Sequence, residues 1–93
     1  MPEPLVWYKD SEDELDFPLT WADWLPDLDT IVESNWVVPP EIEMINSGLL
    51  SPVTVIWLAG GGVTGTRHIL QNEIVTALGR RTERTITVIM RDR

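Results

Sequence analysis

The chain contains RHILQNEIVTAL (residues 67–78), GRRTE (79–83) and RTITVIMR (84–91), and this stretch decides the fold. In the last of these runs Ile86, Val88 and Met90 alternate with two threonines and an isoleucine. Side chains branched at Cβ are stiff at χ1 and suit a pleated surface. Two extended runs joined by a glycine-bearing connection predict an antiparallel hairpin. We expect this hairpin to form the centre of an all-β domain.

The first run of the hairpin places polar residues on its apolar face. His68 and Asn72 share that face with Leu70 and Ile74, because side chains in a strand alternate with a period of two. A buried polar group without a partner costs roughly 1–3 kcal/mol, so we expect Asn72 to be hydrogen-bonded and structural. A single histidine is a poor metal site, and His68 is predicted to serve in the wall or the core.

Size and composition indicate one folded domain. The chain has 93 residues, of which 43% are hydrophobic and five are tryptophan, and this is enough for a buried core. Seven prolines and six glycines interrupt the chain too often for long helices. We divide it into an N-terminal arm, residues 1–13, and a β-sandwich domain, residues 14–93.

Cysteine content and hydropathy bear on the compartment. The chain has no cysteine, which excludes disulfides and thiol catalysis and fits a reducing cytoplasm. No stretch resembles a signal peptide or reaches the roughly 18 apolar residues of a membrane span. We therefore expect an intracellular product without a membrane partner.

Charge is distributed unevenly along the chain. Residues 1–46 carry twelve of the fifteen acids and a single base, for a net charge of −11, whereas residues 47–93 carry a net charge of +3, which together give −8. The acidic half repels phosphate backbones, so nucleic acid is not expected as the main partner. Two interpretations stay open: a solvated acidic surface, or an acidic face of one copy meeting an arginine face of the next.

The strands of the first half are interrupted by aromatic and proline residues. Residues 15–21 alternate as a strand, and Pro18 confines this strand to an edge. Trp21, Trp24 and Leu25 have the spacing of a short helical turn, which would carry Trp24 onto the core. Residues 30–38 are predicted to form the next strand, with positions 32, 34, 36 and 38 on one face.

The middle of the chain alternates less clearly. Residues 41–46 predict a short, half-exposed strand, with a helix across residues 40–50 as the alternative, and residues 46–48 (Asn-Ser-Gly) predict a turn. The apolar run at residues 53–59 predicts a central strand buried on both faces, with Trp57 as the core tryptophan. Together these elements predict an immunoglobulin-like antiparallel β-sandwich of about seven strands, with a short helical turn near Trp21–Leu25.

Two segments are candidate protein interfaces. The arm ends in an apolar and aromatic patch, which docks either on its own domain as an edge strand or on a neighbouring subunit. The arginines at the hairpin tip are either a soluble turn or a docking point, since arginine is enriched at interfaces. The candidate interface residues are Leu5, Val6, Trp7, Tyr8, Arg80, Arg81 and Arg84.

Motifs for chemistry are weak throughout. The glycine-rich run GGGVTGT (60–66) lacks the lysine of a phosphate-binding loop, and a strand rather than a helix is predicted to follow it. No set of acid, base and nucleophile can be named. We therefore expect no enzyme, no cofactor and no metal site.

Several ordered blocks resemble a known family. They are Leu15-Asp16-Phe17, the segments 21–25, 29–31 and 36–38, and the later segments 55–61, 65–66, 72–76, 79–80 and 83–86. Over roughly residues 14–91 the chain resembles the fiber–tail adaptors of tailed bacteriophages. The resemblance implies a compact β-sandwich adaptor in the neck or tail that joins virion components without enzymatic activity.

The leading hypothesis is therefore a structural virion protein that is made in the host bacterial cytoplasm. Its expected partners are other neck, tail or fiber proteins, together with copies of itself in a ring. The alternative is a small carbohydrate-binding β-sandwich module with Trp7 and Trp24 as stacking platforms, because aromatic faces suit sugars.

Overall fold

The structure, a computed structural model, describes residues 5–61 and 63–91. Within these residues the chain forms seven strands in two sheets, ordered β1-β7-β6-β3 and β2-β5-β4. The strands are β1 (Leu5–Lys9), β2 (Leu15–Thr20), β3 (Ile31–Val37), β4 (Met44–Leu50), β5 (Val53–Leu58), β6 (Arg67–Thr76) and β7 (Arg81–Met90). This architecture confirms the predicted all-β sandwich. Residues 1–4 of the predicted arm, Gly62 in the glycine-rich run and the last two residues lie outside the described residues.

The hairpin of β6 and β7 is the centre of the four-stranded sheet. Its strands pair antiparallel, with Leu70 opposite Ile86, as the alternation predicts. The reversal comes at residues 77–80, slightly earlier than expected. Gly79 takes a φ of 89° there, a left-handed conformation that glycine adopts without a steric penalty.

The N-terminal arm pairs with its own domain. β1 runs parallel to β7, from Leu5 opposite Ile86 to Lys9 opposite Met90, and forms one edge of the four-stranded sheet. This parallel pair departs from a purely antiparallel sandwich. In the isolated chain the arm is therefore an edge strand, while the division between arm and domain at residue 13 stays a prediction.

The core lies between the two sheets. Burial of a large apolar side chain contributes roughly 1.5–3 kcal/mol, and the inner faces supply a continuous layer of such side chains. Its fully or almost fully buried members are Trp21, Ile56, Leu58, Leu70, Ile74, Ile86, Val88 and Met90.

The choice of Trp57 as the core tryptophan is wrong. The side chains of Thr54, Ile56 and Leu58 in β5 point inward. Trp57 lies between Ile56 and Leu58 in the sequence, so its side chain points to the other side of the sheet. Trp57 is half-buried on the solvent-facing side of the three-stranded sheet, so β5 is not buried equally on both of its sides. The core tryptophan is instead Trp21, which is 1% exposed and follows directly after β2.

Asn72 joins the two sheets through hydrogen bonds in the interior. Its Oδ1 accepts bonds from Trp21 Nε1 at 3.0 Å and from Thr54 Oγ1, in β5, at 2.8 Å. Its Nδ2 donates to Ser34 Oγ at 3.0 Å and to the Asn35 carbonyl, both in β3, at 3.1 Å. The amide is thus fully satisfied, by three side chains and one backbone carbonyl.

Two local predictions fail because strand pairing overrides local preference. Residues 46–48 lie inside β4, paired with β5, and neither the predicted turn nor the alternative helix across residues 40–50 forms. In β3 a bulge between Ile31 and Glu33 shifts the alternation. Ile31 is therefore buried, and Val32 is 52% exposed instead of sharing a face with Ser34.

The predicted helical turn is a single turn. The Leu25 amide donates to the Trp21 carbonyl at 3.0 Å, and the Ala22 amide donates to the Thr20 hydroxyl at 3.2 Å. Pro26 lacks an N–H and ends the pattern. Over residues 5–61 and 63–91 no helix is long and apolar enough to cross a membrane.

Candidate protein interface

Two of the four arm residues predicted at an interface pack inside the sandwich. Leu5 and Trp7 alternate inward and contact the core. The Trp7 ring stacks on Phe17 with centroids 4.9 Å apart and lies 6.1 Å from the ring of Trp36. These partly buried side chains hold β1 over the three-stranded sheet.

The other two arm residues point away from the core. Val6 is 41% exposed and Tyr8 is 50% exposed. The guanidinium carbon of Arg91 lies 4.0 Å from the centroid of the Tyr8 ring, a cation–π contact. This part of β1 presents an apolar and cationic surface to solvent.

The tip arginine Arg80 is engaged within the chain. It donates to Asp29 Oδ2 at 3.0 Å, and Asp29 Oδ1 accepts hydrogen bonds from the backbone amides of Thr30 and Leu78. Burial alone raises the pKa of Asp29, but hydrogen bonds from Thr76, Leu78, Arg80 and Thr30 outweigh it and lower the pKa below its usual 3.8. Arg80 therefore anchors the hairpin turn to the loop before β3.

Arg84 is also engaged within the chain. Its guanidinium carbon lies 4.4 Å from the centroid of the Trp21 ring, and both carboxylate oxygens of Asp23 accept from it at 2.9 Å. It also donates to the Thr20 carbonyl at 3.1 Å. Arg84 closes one end of the sandwich over the core tryptophan.

Arg81 lies on the opposite face from Arg84. It lines an open groove of about 370 Å³ together with Glu33, Asn35, Glu73, Val75 and Glu83. The three arginines of the tip thus point in different directions. The structure does not bring them together as one docking point.

We define the outer face as the solvent-facing side of the four-stranded sheet. Its centre is apolar: Ile69 is 54% exposed and Val37 is 50% exposed, beside Val6 and Tyr8. The strand register places Ile69 next to Thr87, and Thr87 next to Val6, so these three side chains lie in one row across the sheet. The outer face is therefore a contiguous surface rather than a set of scattered residues.

The two ends of the outer face differ in charge. At one end Arg67 lies in the same row as Ile89 and Tyr8, and Arg91 packs on the Tyr8 ring. At the other end the register sets Glu73 directly opposite Glu83. Glu33 and Arg81 flank that pair in the groove. One end is therefore basic and the other predominantly acidic.

A second exposed surface is the β4 edge, Met44–Leu50. It is a terminal strand of the three-stranded sheet and contains no charged residue. Its exposed apolar side chains are Met44 (39%), Ile45 (43%), Leu49 (39%) and Leu50 (80%). Edge strands present unpaired backbone groups, and the opposite edge, β2, carries Pro18 as protection.

Sequence reasoning named Val6, Tyr8 and Arg81, which lie on the outer face, but it missed the centre of that face and the β4 edge. Placing His68 and Leu70 on the inner face of β6 leaves Ile69 and Glu73 on the outer face by alternation. The uncharged run at residues 44–50 indicated an unprotected strand, but its Asn-Ser-Gly segment suggested a turn instead.

Two polar side chains outside these surfaces, His68 and Lys9, have partners within the chain. His68 Nε2 lies 2.9 Å from the Thr66 hydroxyl. Lys9 is 1% exposed and donates to the Asp10 carbonyl at 3.0 Å. Burial lowers the pKa of Lys9, and the nearby carboxylates of Asp13, Asp10 and Glu12 offset part of that shift. In the described part of the chain no three His, Cys, Asp or Glu side chains are grouped to hold a metal ion.

The two packed sheets define an immunoglobulin-like β-sandwich. A solved structure supports this class: the solution structure of the PKD domain from the KIAA 1837 protein is similar, with a TM-score of 0.57 and 12% sequence identity. That similarity covers 97% of this chain and 81% of the PKD chain.

The family is more specific than the fold. The chain belongs to the family of the podophage GP4 fiber-tail adaptor protein gp77, whose model matches residues 9–89. A comparison with curated proteins found no match. Membership confirms the resemblance to phage fiber–tail adaptors and implies a structural component of the virion.

Proposed function

We propose that the protein is a non-enzymatic adaptor that joins tail or neck components to fibers through protein–protein contacts. An adaptor must hold at least two neighbours at once. The observation that carries the proposal is the presence of two separate exposed apolar surfaces, the outer face and the β4 edge. Large exposed apolar patches mark interaction sites in soluble proteins.

The two surfaces suit different kinds of contact. The outer face combines apolar side chains with charges at both ends, which favours a rigid, oriented contact. The β4 edge offers free backbone groups, which can pair with an extended strand of another protein. In the proposed assembly the copies form a ring, the chain is made in the host bacterial cytoplasm, and it is then incorporated into the virion.

The interface residues expected from sequence divide accordingly. We assign Val6, Tyr8 and Arg81 to the outer face as contact residues. Leu5, Trp7, Arg80 and Arg84 support the fold that presents this face. Their roles at a partner contact are therefore indirect.

The tryptophans do not favour the carbohydrate-binding alternative. The Trp7 ring is covered by Phe17, and Trp24 packs edge-on against Trp21 with centroids 5.9 Å apart. Sugar platforms require an accessible ring face. The rings named for stacking are already packed against other aromatic rings.

The test uses photo-reactive residues in phage particles. Leu50 on the β4 edge and Ile69 on the outer face are replaced one at a time, and Leu28, which is 98% exposed but lies on neither surface, serves as the control. We expect the chain in purified particles, with cross-links from positions 50 and 69 to neighbouring chains and fewer from position 28. Absence of the chain from particles, or cross-linking from position 28 alone, would overturn the proposal.

A further inference from the structure

We propose that the outer face binds the outer face of a second copy, in a pair related by a two-fold axis. This inference rests on the proposed function, because it names the partner of one adaptor surface. The two sheets would pack face to face with their strands antiparallel across the contact. Aligned packing of this kind is common between β-sheets.

The apolar centre of the outer face supplies the contact area. Val6, Val37 and Ile69 each leave at least two-fifths of their surface in solvent. They lie on three different strands of one sheet, and Tyr8 extends the patch along β1. Covering this patch removes apolar surface from water, which is the main favourable term in association.

Charge selects a second copy as the occupant. A partner of uniform charge would match only one end of the outer face. A second copy turned by 180° brings the basic end, Arg67 and Arg91, over the acidic end, with its Glu73, and does so twice in one contact.

The acidic end contains a repulsion between two like charges, which a second copy would relieve. Glu73 and Glu83 are directly opposite each other on adjacent strands, and like charges in that position destabilise a sheet. Both line the groove, which is open to solvent and is wide enough to receive a side chain. An arginine of the partner copy entering the groove would separate these two charges.

The outward residues of β6 show the match along a single strand. In order they are Arg67, Ile69, Gln71 and Glu73. When two copies of this strand run antiparallel, Arg67 of each meets Glu73 of the other. The same arrangement sets Ile69 against Gln71.

Such a pair closes on itself. A two-fold contact uses the same surface on both copies, so any ring must use a different surface for its remaining contacts. The β4 edge belongs to the other sheet and stays free in the pair.

Sedimentation equilibrium of the full chain tests the contact. We expect the native chain to dimerise, more weakly at about 1 M salt than at about 0.1 M, because salt screens the charge pairs. Arg67→Glu and Glu73→Arg should each weaken dimerisation about tenfold or more. The double variant, with both changes in one chain, should return to within about threefold of the native affinity.

A matched control separates this contact from net charge. Asp16→Arg changes the charge by the same amount as Glu73→Arg but lies exposed on β2, in the other sheet, and should leave dimerisation unchanged. A native chain that stays monomeric at about 0.1 mM overturns the inference. So does a double variant that fails to recover, or a control as weak as Glu73→Arg.

The two proposals fail separately. A monomeric chain that is nevertheless found in particles removes this contact and leaves the adaptor function standing. A dimeric chain that is absent from particles removes the adaptor function.

Discussion

The two faces of β6 carry polar residues that are used in opposite ways. On the inner face Asn72 is fully buried, and each of its hydrogen-bonding groups has a partner. On the outer face Arg67 and Glu73 lie at the two ends of an apolar surface, with Ile69 54% exposed. Residues one position apart in sequence thus face entirely different surroundings.

The inner side chains of β6 specify the fold, whereas its outer side chains are left to contact a partner. A buried amide tolerates only the sheet arrangement that satisfies it, since an unpaired polar group in the interior is costly. Asn72 therefore fixes β6 against β3 and β5. The outer face is under no such constraint within one chain, and its charges and apolar groups are free to be matched by another chain.

The largest expected effect comes from removing the inner amide. Asn72→Leu keeps the branched shape of the side chain but leaves Trp21 Nε1 and Thr54 Oγ1 facing an apolar group. We expect a loss of about 3 kcal/mol in the free energy of unfolding, measured by urea denaturation. Gln71→Leu, one position away on the outer face, is the matched control and should change stability by less than about 0.5 kcal/mol. Similar losses of stability in Asn72→Leu and Gln71→Leu would show that the two faces of β6 do not differ in their importance for the fold.

The inward-facing residues of β6 could be predicted from the sequence because they depend only on the two-residue alternation of side chains along a strand. The spacing of His68, Leu70, Asn72 and Ile74 predicted one inward face, and three of these four residues are completely buried. The prediction that Asn72 is structural follows from the same alternation. Its partners could not be predicted, because they come from residues 18 to 51 positions away in the chain.

Other features depend on tertiary pairing and were not predictable from local pattern. The bulge between Ile31 and Glu33 exists only against β6, and it reverses which side chains face inward. The Asn-Ser-Gly segment has the local chemistry of a turn, yet pairing with β5 keeps it extended. Strand preference depends on neighbours more than on the residue itself.

The candidate site was predictable in part. Alternation along β7 alone separates Arg81 from Arg84, so their placement on opposite faces could have been expected. The engagement of Arg80 with Asp29 could not, because it joins residues 51 positions apart. Likewise, only the structure shows that β1 pairs with β7 in the same chain.

The pH dependence of stability tests the buried carboxylate beside the hairpin turn. The pKa of Asp29 is lowered in the folded state. As the pH falls, the Asp29 carboxylate is therefore protonated at a higher pH in the unfolded chain than in the folded chain. The stability that Asp29 contributes is therefore complete above its usual pKa of 3.8 and is lost as the pH falls through the folded-state value. We expect Asp29→Asn to be less stable than the native chain near neutral pH.

Urea denaturation of both proteins between neutral and acidic pH measures this difference. The gap between the native chain and Asp29→Asn should be constant near neutrality and should narrow below the usual pKa. A gap that is independent of pH throughout would show that the charge of Asp29 does not matter to the fold.

A smaller loss of stability is expected on removal of Arg84, and it distinguishes Arg84 from Arg81. Arg84→Ala removes the contact with the Trp21 ring and the bonds to Asp23 and the Thr20 carbonyl. The Arg84 side chain is 14% exposed but that of Asp23 is 61% exposed, so solvent screens the ion pair. We expect a loss of about 1 kcal/mol, mostly from the ring contact and the carbonyl bond.

Arg81→Ala is the matched control for this change. Arg81 is exposed and lies on the outer face, so its removal should alter the free energy of unfolding by less than about 0.5 kcal/mol. Thermal or urea denaturation of both variants decides the matter. Equal losses would mean that the tip arginines act alike, contrary to their separate placements.

The smallest expected effect on stability is at the centre of the outer face. It is measured by making the same isoleucine-to-threonine change at one outer and one inner position of β6. Ile69→Thr removes an apolar group that is already half in solvent, so the free energy of unfolding should change by less than about 0.5 kcal/mol. Ile74→Thr places a hydroxyl at a position with no exposure and should cost about 2 kcal/mol or more. If position 69 is as sensitive as position 74, the outer face belongs to the fold and not to a partner. If only position 74 is sensitive, Ile69 contributes little to the stability of the single chain, which is what a residue that contacts another chain requires.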